Sequence, residues 1–355
     1  MTLPARLWSG VLLGSLALMS IAGKEAAGRD ALAGSQACAN CHAREYASQI
    51  STSMARAMEP VADCRILEEH KMLTFRQGIY SYRIQRQGNE SVYTVTDGKT
   101  TIAVALQYAF GLGKAGQTYV FEHDGKIYES RVSFYRAING LDWTMGARNL
   151  EPGNLEEAIG RIMSKLDAKQ CFGCHTTSAL RAPFRTPESL TPGITCEHCH
   201  GSAIAHVEGF RQGRPVAMKK LSQLSTEDLS DFCGQCHRTW ATIAENGPHD
   251  INNLRFQPYR LANSKCYDPT DKRISCTACH NVHEEVVEAD SFYDRKCLAC
   301  HSKSGPHAKT GAASCSVGTK NCATCHMPKL ELPGSHYKFT DHRIRIAKAD
   351  TAYPP

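Results

Sequence analysis

A mainly α core of short helices and loops, interrupted by an antiparallel β insertion, is the fold class predicted by this 355-residue sequence. Two observations predict it. The pentapeptide Cys-x-x-Cys-His occurs seven times, at Cys38–His42, Cys171–His175, Cys196–His200, Cys233–His237, Cys276–His280, Cys297–His301 and Cys322–His326. The first two copies begin 133 residues apart, whereas the later ones follow at intervals of 25, 37, 43, 21 and 25. The long gap alternates apolar and polar residues around Asp-Gly pairs, the strongest short-range hairpin signal. One motif therefore stands alone near the N-terminus and six crowd the C-terminal half.

Each copy is a covalent attachment site for c-type haem. The paired thiols become thioethers to one ring: Cys38 with Cys41, Cys171 with Cys174, Cys196 with Cys199, Cys233 with Cys236, Cys276 with Cys279, Cys297 with Cys300, and Cys322 with Cys325. The adjacent His42, His175, His200, His237, His280, His301 and His326 then ligate iron from the proximal face. Seven covalently attached haem c groups are the predicted cofactors, and the core is a multihaem cytochrome c core. Zinc is the competing reading, since Cys-x-x-Cys pairs also build zinc ribbons. Against it, the motif count is odd, every copy carries a His that a ribbon does not need, and free thiols in an exported chain tend toward disulfides.

The elements follow in order. MTLPAR, with Arg6 as its charge, precedes an apolar run from Leu7 to Ala22 and a charged stretch at Lys24, Glu25, Arg29 and Asp30. That layout predicts a secretory signal over 1–22, with Ser20-Ile21-Ala22 as the cleavage site. The run falls short of the roughly 20 residues of a spanning helix. A periplasmic or otherwise exported protein with no transmembrane span is expected. Residues 23–64 form an N-terminal haem segment.

Residues 65–150 form the β-rich insertion. Tyr80, Tyr82 and Ile84 alternate with Ser81, Arg83 and Gln85, and turns are expected at Asp97-Gly98 and Asp124-Gly125. The span predicts five to seven strands of ordinary length. Gly111-Leu112-Gly113-Lys114-Ala115-Gly116 matches a dinucleotide fingerprint in form, but Thr118 to Phe121 reads as strand. No helix opens there to hold pyrophosphate, so the glycines are a tight loop.

Residues 151–355 form the hexahaem core. Asn154 and Glu157 resemble a capping box, and Leu155, Ile159, Ile162, Met163 and Leu166 make a one-sided helical stripe toward Cys171. Ser225 and Asp228 start a shorter helix before Cys233.

The formal charge of +6 is misleading. Loss of Arg6 and gain of two propionates on each haem bring the net to about −9. A nucleic-acid role has no electrostatic support.

Seven irons need seven further axial ligands if all are six-coordinate. Sixteen histidines leave nine outside the motif ends. His283 follows its motif by three residues and can point toward a neighbouring iron; His206 follows Cys199-His200-Gly201 within a small-residue turn. His336 and His342 lie downstream of the last motif, where a loop can fold back over earlier haems. His307, His249, His123 and His70 are further candidates, each with a surface or hydrogen-bonding alternative. His198, between two attachment cysteines, is not expected to ligate, and Met54 and Met58 read as apolar contacts near the first haem. The surplus predicts mostly bis-His haems, suited to electron transfer. Cys64, Cys266 and Cys315 are left over; a disulfide among them and a buried free thiol are the two readings.

The phrases CEHCHGSAIAH, DFCGQCHRTW, RFQPYRLANSKC, CTACHNVH and CATCHMPKLELPGSHYKFTDHRIRI resemble bacterial multihaem cytochromes of the group containing pentahaem nitrite reductases, octahaem hydroxylamine oxidoreductases and tetrathionate reductases. Together with GKAGQTYVFEHDGKIYESRVSFY, they resemble more closely the exported cytochromes of the cytochrome c-552/4 domain type. The resemblance implies short helices and loops wrapping stacked haems, in parallel and perpendicular pairs, with bis-His ligation at most irons. Nitrite reductases of that group place Lys on the catalytic iron through Cys-x-x-Cys-Lys, whereas all seven motifs here end in His. The sequence therefore predicts an exported relay of electrons between redox partners, either proteins or quinol-linked complexes. The alternative is an oxidoreductase of a small nitrogen or sulfur compound at one open iron beside a pocket lined by Arg or His.

Overall fold

The computed structural model describes residues 31–178, 190–302, 315 and 317–348. The expected signal segment 1–22 and the candidate ligand His307 lie outside the described residues.

The β part comprises β1 (Met58–Pro60), β2 (Met72–Gln77), β3 (Tyr80–Gln87), β4 (Glu90–Thr96), β5 (Thr101–Ala105), β6 (Tyr108–Phe110), β7 (Gln117–His123), β8 (Lys126–Tyr135), β9 (Gly140–Trp143) and β10 (Gly160–Ile162). One antiparallel sheet runs β2-β3-β4-β5; the other runs β1-β6-β7-β8-β10, with β9 also paired to β8. Eight strands lie between residues 72 and 143, one more than the upper expectation. Tyr108–Phe110 and Gly140–Trp143 are too short to display an alternation. The second sheet also extends beyond the expected boundaries, taking in residues 58–60 and 160–162.

Both expected turns form. Asp124 and Gly125 adopt φ of 48° and 68°, the left-handed pair that a two-residue hairpin favours. Asp97 accepts from the Lys99 and Thr100 amides at 2.9 and 2.8 Å. The glycine loop leads from β6 into β7 and not into a helix. A Cβ on Gly111 would lie 2.7 Å from the Gly116 carbonyl oxygen, so the loop closes only without a side chain there.

The two sheets share one core. Tyr82, Ile84, Tyr93 and Val95 from the first meet Tyr119, Phe121, Val132 and Phe134 from the second, all essentially inaccessible to solvent. Period-2 alternation turns Tyr108, Phe110 and Val120 to the other face of the second sheet. There they form a second apolar layer with Met58, Met163, Ala168 and Phe172.

The helices are α1 (Ser35–Ala39), α2 (Ala43–Gln49), α3 (Arg65–Glu69), α4 (Leu155–Ile159), α5 (Lys165–His175), α6 (Cys196–His200), α7 (Ile204–Arg211), α8 (Thr226–His237), α9 (Trp240–Asn246), α10 (Gln257–Ala262), α11 (Cys276–Cys279), α12 (Asp294–His301) and α13 (Cys322–His326). A small hairpin, β11 (Lys329–Glu331) with β12 (Lys338–Thr340), follows the last. The single helix expected from Asn154 to Cys171 is two. Asn154 caps α4 by accepting the Glu157 amide at 2.9 Å, but α4 stops at Ile159 because Gly160 joins β8. A Cβ at Gly160 would lie 2.2 Å from the Glu129 carbonyl oxygen. Ser164 and Asp167 then open α5 with a reciprocal capping box. Ile159 and Met163 of the stripe are buried, whereas Ile162 and Leu166 face solvent. Ser225 caps α8 as expected, accepting the Asp228 amide at 3.0 Å. Among the described residues no helix is long and apolar enough to cross a membrane.

Candidate functional site

Five of the seven motifs sit on a turn of helix; the first runs past the end of α1, with Cys41 and His42 beyond it, and in the fifth His280 follows α11. A helical turn puts residues i, i+3 and i+4 on one face, so each motif offers two thiols and an imidazole together. In the first, the His42 amide donates to the Cys38 carbonyl at 2.8 Å; in the fifth, His280 does so to Cys276 at 3.0 Å. The second motif is set by the β part. Phe172 of α5 is fully buried and meets Tyr108 and Phe110 edge-on at 5.7 and 5.2 Å. Phe110 also lies against the His175 ring at 5.0 Å.

Four motif histidines are oriented by their Nδ1 atoms. His175 Nδ1 lies 2.7 Å from the Ala57 carbonyl, His200 Nδ1 2.9 Å from Lys219, and His326 Nδ1 2.9 Å from Arg345. A carbonyl only accepts, so Nδ1 carries the proton and the Nε2 lone pair is left for a metal. His237 Nδ1 is held at 3.2 Å by Gln257 Oε1. Burial pushes His175, His237 and His280 below the usual imidazole range and His342 down to about 4. Neutral imidazole is the state that ligates a metal.

Two candidate distal histidines face motif histidines. The His200 and His283 ring centres are 6.1 Å apart with planes 6° from parallel; those of His280 and His342 are 6.2 Å apart. Two ligands on one metal need two bonds of about 2 Å and two ring radii of about 1 Å, roughly 6 Å in all. His342 Nδ1 donates to the Thr340 carbonyl at 3.0 Å, and His206 Nδ1 to Val216 at 2.6 Å, leaving Nε2 on each.

The other candidates lie elsewhere. His336 Nε2 is 2.7 Å from the Asp142 carboxylate, and its ring stands on Tyr135 at 4.8 Å. His123 Nε2 lies 3.4 Å from Glu156 at the β7 end, His249 is exposed, and His70 rests on Phe134 at 4.9 Å. Met58 is buried in β1 within the second apolar layer. Cys64 is a buried thiol donating to Gln117 Oε1 at 3.2 Å, and neither it nor exposed Cys266 and Cys315 forms a disulfide.

Motif helices touch out of sequence order. α1 packs on α6, α5 on α8, α8 on α11, and α12 on α13. At each contact attachment cysteines of different motifs come close: Cys38 to Cys196, Cys174 to Cys236, Cys233 to Cys276, and Cys297 to Cys322. The first contact is fastened by Glu197, buried between the attachment cysteines of α6. Its carboxylate accepts from the Ala33 and Gly34 amides, both at 2.9 Å, and from Ala203 at 2.7 Å. The N-terminal motif, alone in sequence, is therefore seated on the third. Among the described residues no three His, Cys, Asp or Glu side chains converge to hold a metal ion by themselves.

A cleft of about 380 Å³ opens where the β part meets the C-terminal hairpin, lined by Trp143, Arg148, Asn252, Arg255 and Gly334 among others.

Thiols paired on one helical face, with a neutral imidazole whose Nε2 is free, fit covalent haem c. The sequence did not point to Glu197, Gln257, Arg260 or Asp341. Only the Glu between two attachment cysteines and the Asp beside His342 could have drawn attention. Residues 146–201, which contain the second and third motifs, match the family described as Cytochrome c554 and c-prime. That match supports a c-type cytochrome with covalently bound haem c. No curated protein and no solved structure matches the chain.

Proposed function

We propose that the chain is an exported heptahaem cytochrome c that relays electrons between redox partners through mostly bis-His haems, its helices and loops wrapping the rings beside the β insertion. The observation that carries this is the pairing of His200 with His283 and of His280 with His342 at metal-spanning separation. Haem iron supplies a one-electron couple when bound. The chain fixes the imidazoles of His175, His200, His237, His326, His206 and His342 in the metal-ready tautomer through a carbonyl or amide oxygen, and brings neighbouring attachment turns into contact. Filled axial positions favour electron transfer over substrate binding.

The Arg148 and Arg255 cleft favours one alternative, an oxidoreductase of a small nitrogen or sulfur compound at an open haem. Mass spectrometry and a spin-state count on the purified holoprotein test both. Seven covalent haems, all low-spin and inert to carbon monoxide on reduction, are the expected result. A high-spin haem that takes up carbon monoxide favours the oxidoreductase, and a mass lacking seven haems overturns the cofactor assignment.

A further inference from the structure

We propose that Arg260 is a positioning residue which, through Asp341, fixes His342 as the second axial ligand of the iron held by Cys276, Cys279 and His280. The inference rests on the relay reading above and extends it to a pair of residues that touch no haem-attachment motif.

Neither the Arg260 nor the Asp341 side chain has any solvent exposure. Nε and Nη2 of Arg260 donate to the two carboxylate oxygens at 2.9 and 3.1 Å, a bidentate fork, while Nη1 donates to Asn253 Oδ1 at 3.1 Å. Asp341 also accepts from the Arg343 amide at 2.9 Å and from the Arg345 guanidinium. An ion pair buried this completely adds little stability over a well-packed apolar pair. It does set position: the carboxylate has one geometry that satisfies the fork, and the next residue in the chain is His342.

The same stretch of chain holds the His342 backbone directly. Ser264 Oγ donates to the His342 carbonyl at 3.2 Å and accepts from the Ile344 amide at 2.8 Å. With Nδ1 donating to Thr340, the His342 ring can turn only Nε2 toward His280. Residues 253–264, centred on α10, also carry Gln257, which accepts from His237 Nδ1. One short segment thus orients the proximal ligand of the fourth motif and the second ligand of the fifth. A purely structural ion pair has no reason to sit at the base of an imidazole aimed across a metal-sized gap.

The test is a spin-state and carbon monoxide titration of the purified holoprotein and its variants, with covalent haem counted by mass. In Arg260→Met we expect seven haems retained, one haem equivalent turned high-spin and binding carbon monoxide on reduction, and added imidazole returning it to low spin. Global destabilisation would not give an imidazole-reversible change confined to one haem. An Arg260→Met holoprotein with every haem still low-spin overturns the proposal. If that variant does not fold, Asp341→Asn takes its place with the same expected and overturning results. His342→Gly separates the levels of the argument: a high-spin haem there, with Arg260→Met unchanged, overturns the positioning role alone. Low-spin haems in both overturn the ligand assignment. A wild-type protein without seven covalent haems overturns the relay reading itself.

Discussion

His342 combines a half-buried, strongly desolvated ring with a proton held on Nδ1, and its chemistry follows from both. Burial pushes its pKa from the usual 6.5 down to about 4. A depressed value means that the folded state favours the neutral ring. The stability this contributes is complete above pH 6.5 and is lost as the pH falls through about 4. His175, His237 and His280 are shifted in the same direction. We therefore expect the His342 ring to be in its neutral, ligating state well below pH 6.5, so that the low-spin spectrum of the holoprotein does not change where a free imidazole would protonate. A spectroscopic pH titration with its midpoint at 6.5 would contradict this. The attachment residues were legible in the sequence because their spacing is the chemistry. His283 and His342 were legible as candidates because of their placement, three residues beyond one motif and just downstream of the last. Glu197 and Arg260 were not: their partners lie 163 to 164 and 81 residues away, and no local pattern announces a contact of that range.

Among the elements, glycines mark where the motif-bearing helices meet the rest of the chain. Gly193 donates its amide to the His175 carbonyl at 3.0 Å with φ of 70°, and a Cβ there would fall 1.8 Å from the Ala55 carbonyl oxygen. Gly193→Ala combines a left-handed backbone with a backbone clash and is expected to cost roughly 2 kcal/mol or more. Thermal unfolding of the holoprotein, followed by circular dichroism, would show a lowered midpoint; an unchanged midpoint would contradict the close approach. Gly160 explains why a continuous helical stripe became α4, β10 and α5. The apolar periodicity of that stretch is real, but an edge strand of the second sheet was open to pairing. Hairpin turns at Asp97-Gly98 and Asp124-Gly125 were legible because their backbone angles are local. The three- and four-residue strands were not, because pairing with a neighbour defines them.

Across the whole molecule, contacts between attachment turns run out of chain order. The first motif lies against the third, the second against the fourth, the fourth against the fifth, and the sixth against the seventh. Iron anomalous scattering from crystals of the holoprotein would locate the metal centres. We expect the irons of those pairs to be nearest neighbours, with the fourth motif a junction between the second and the fifth. A strictly sequential order of irons would contradict it. Such a junction bears on a relay, since an electron leaving the fourth haem would have more than one neighbour.

Sequence alone determined the seven Cys-x-x-Cys-His motifs, their uniform His endings, the β character of the long gap and the pool of spare histidines, all of which are written in short-range spacing. Tertiary structure decided which motif touches which, which spare histidine faces which motif, and what holds it there. Those facts depend on contacts between residues distant in the chain, made when two sheets share a core and a buried carboxylate finds its guanidinium.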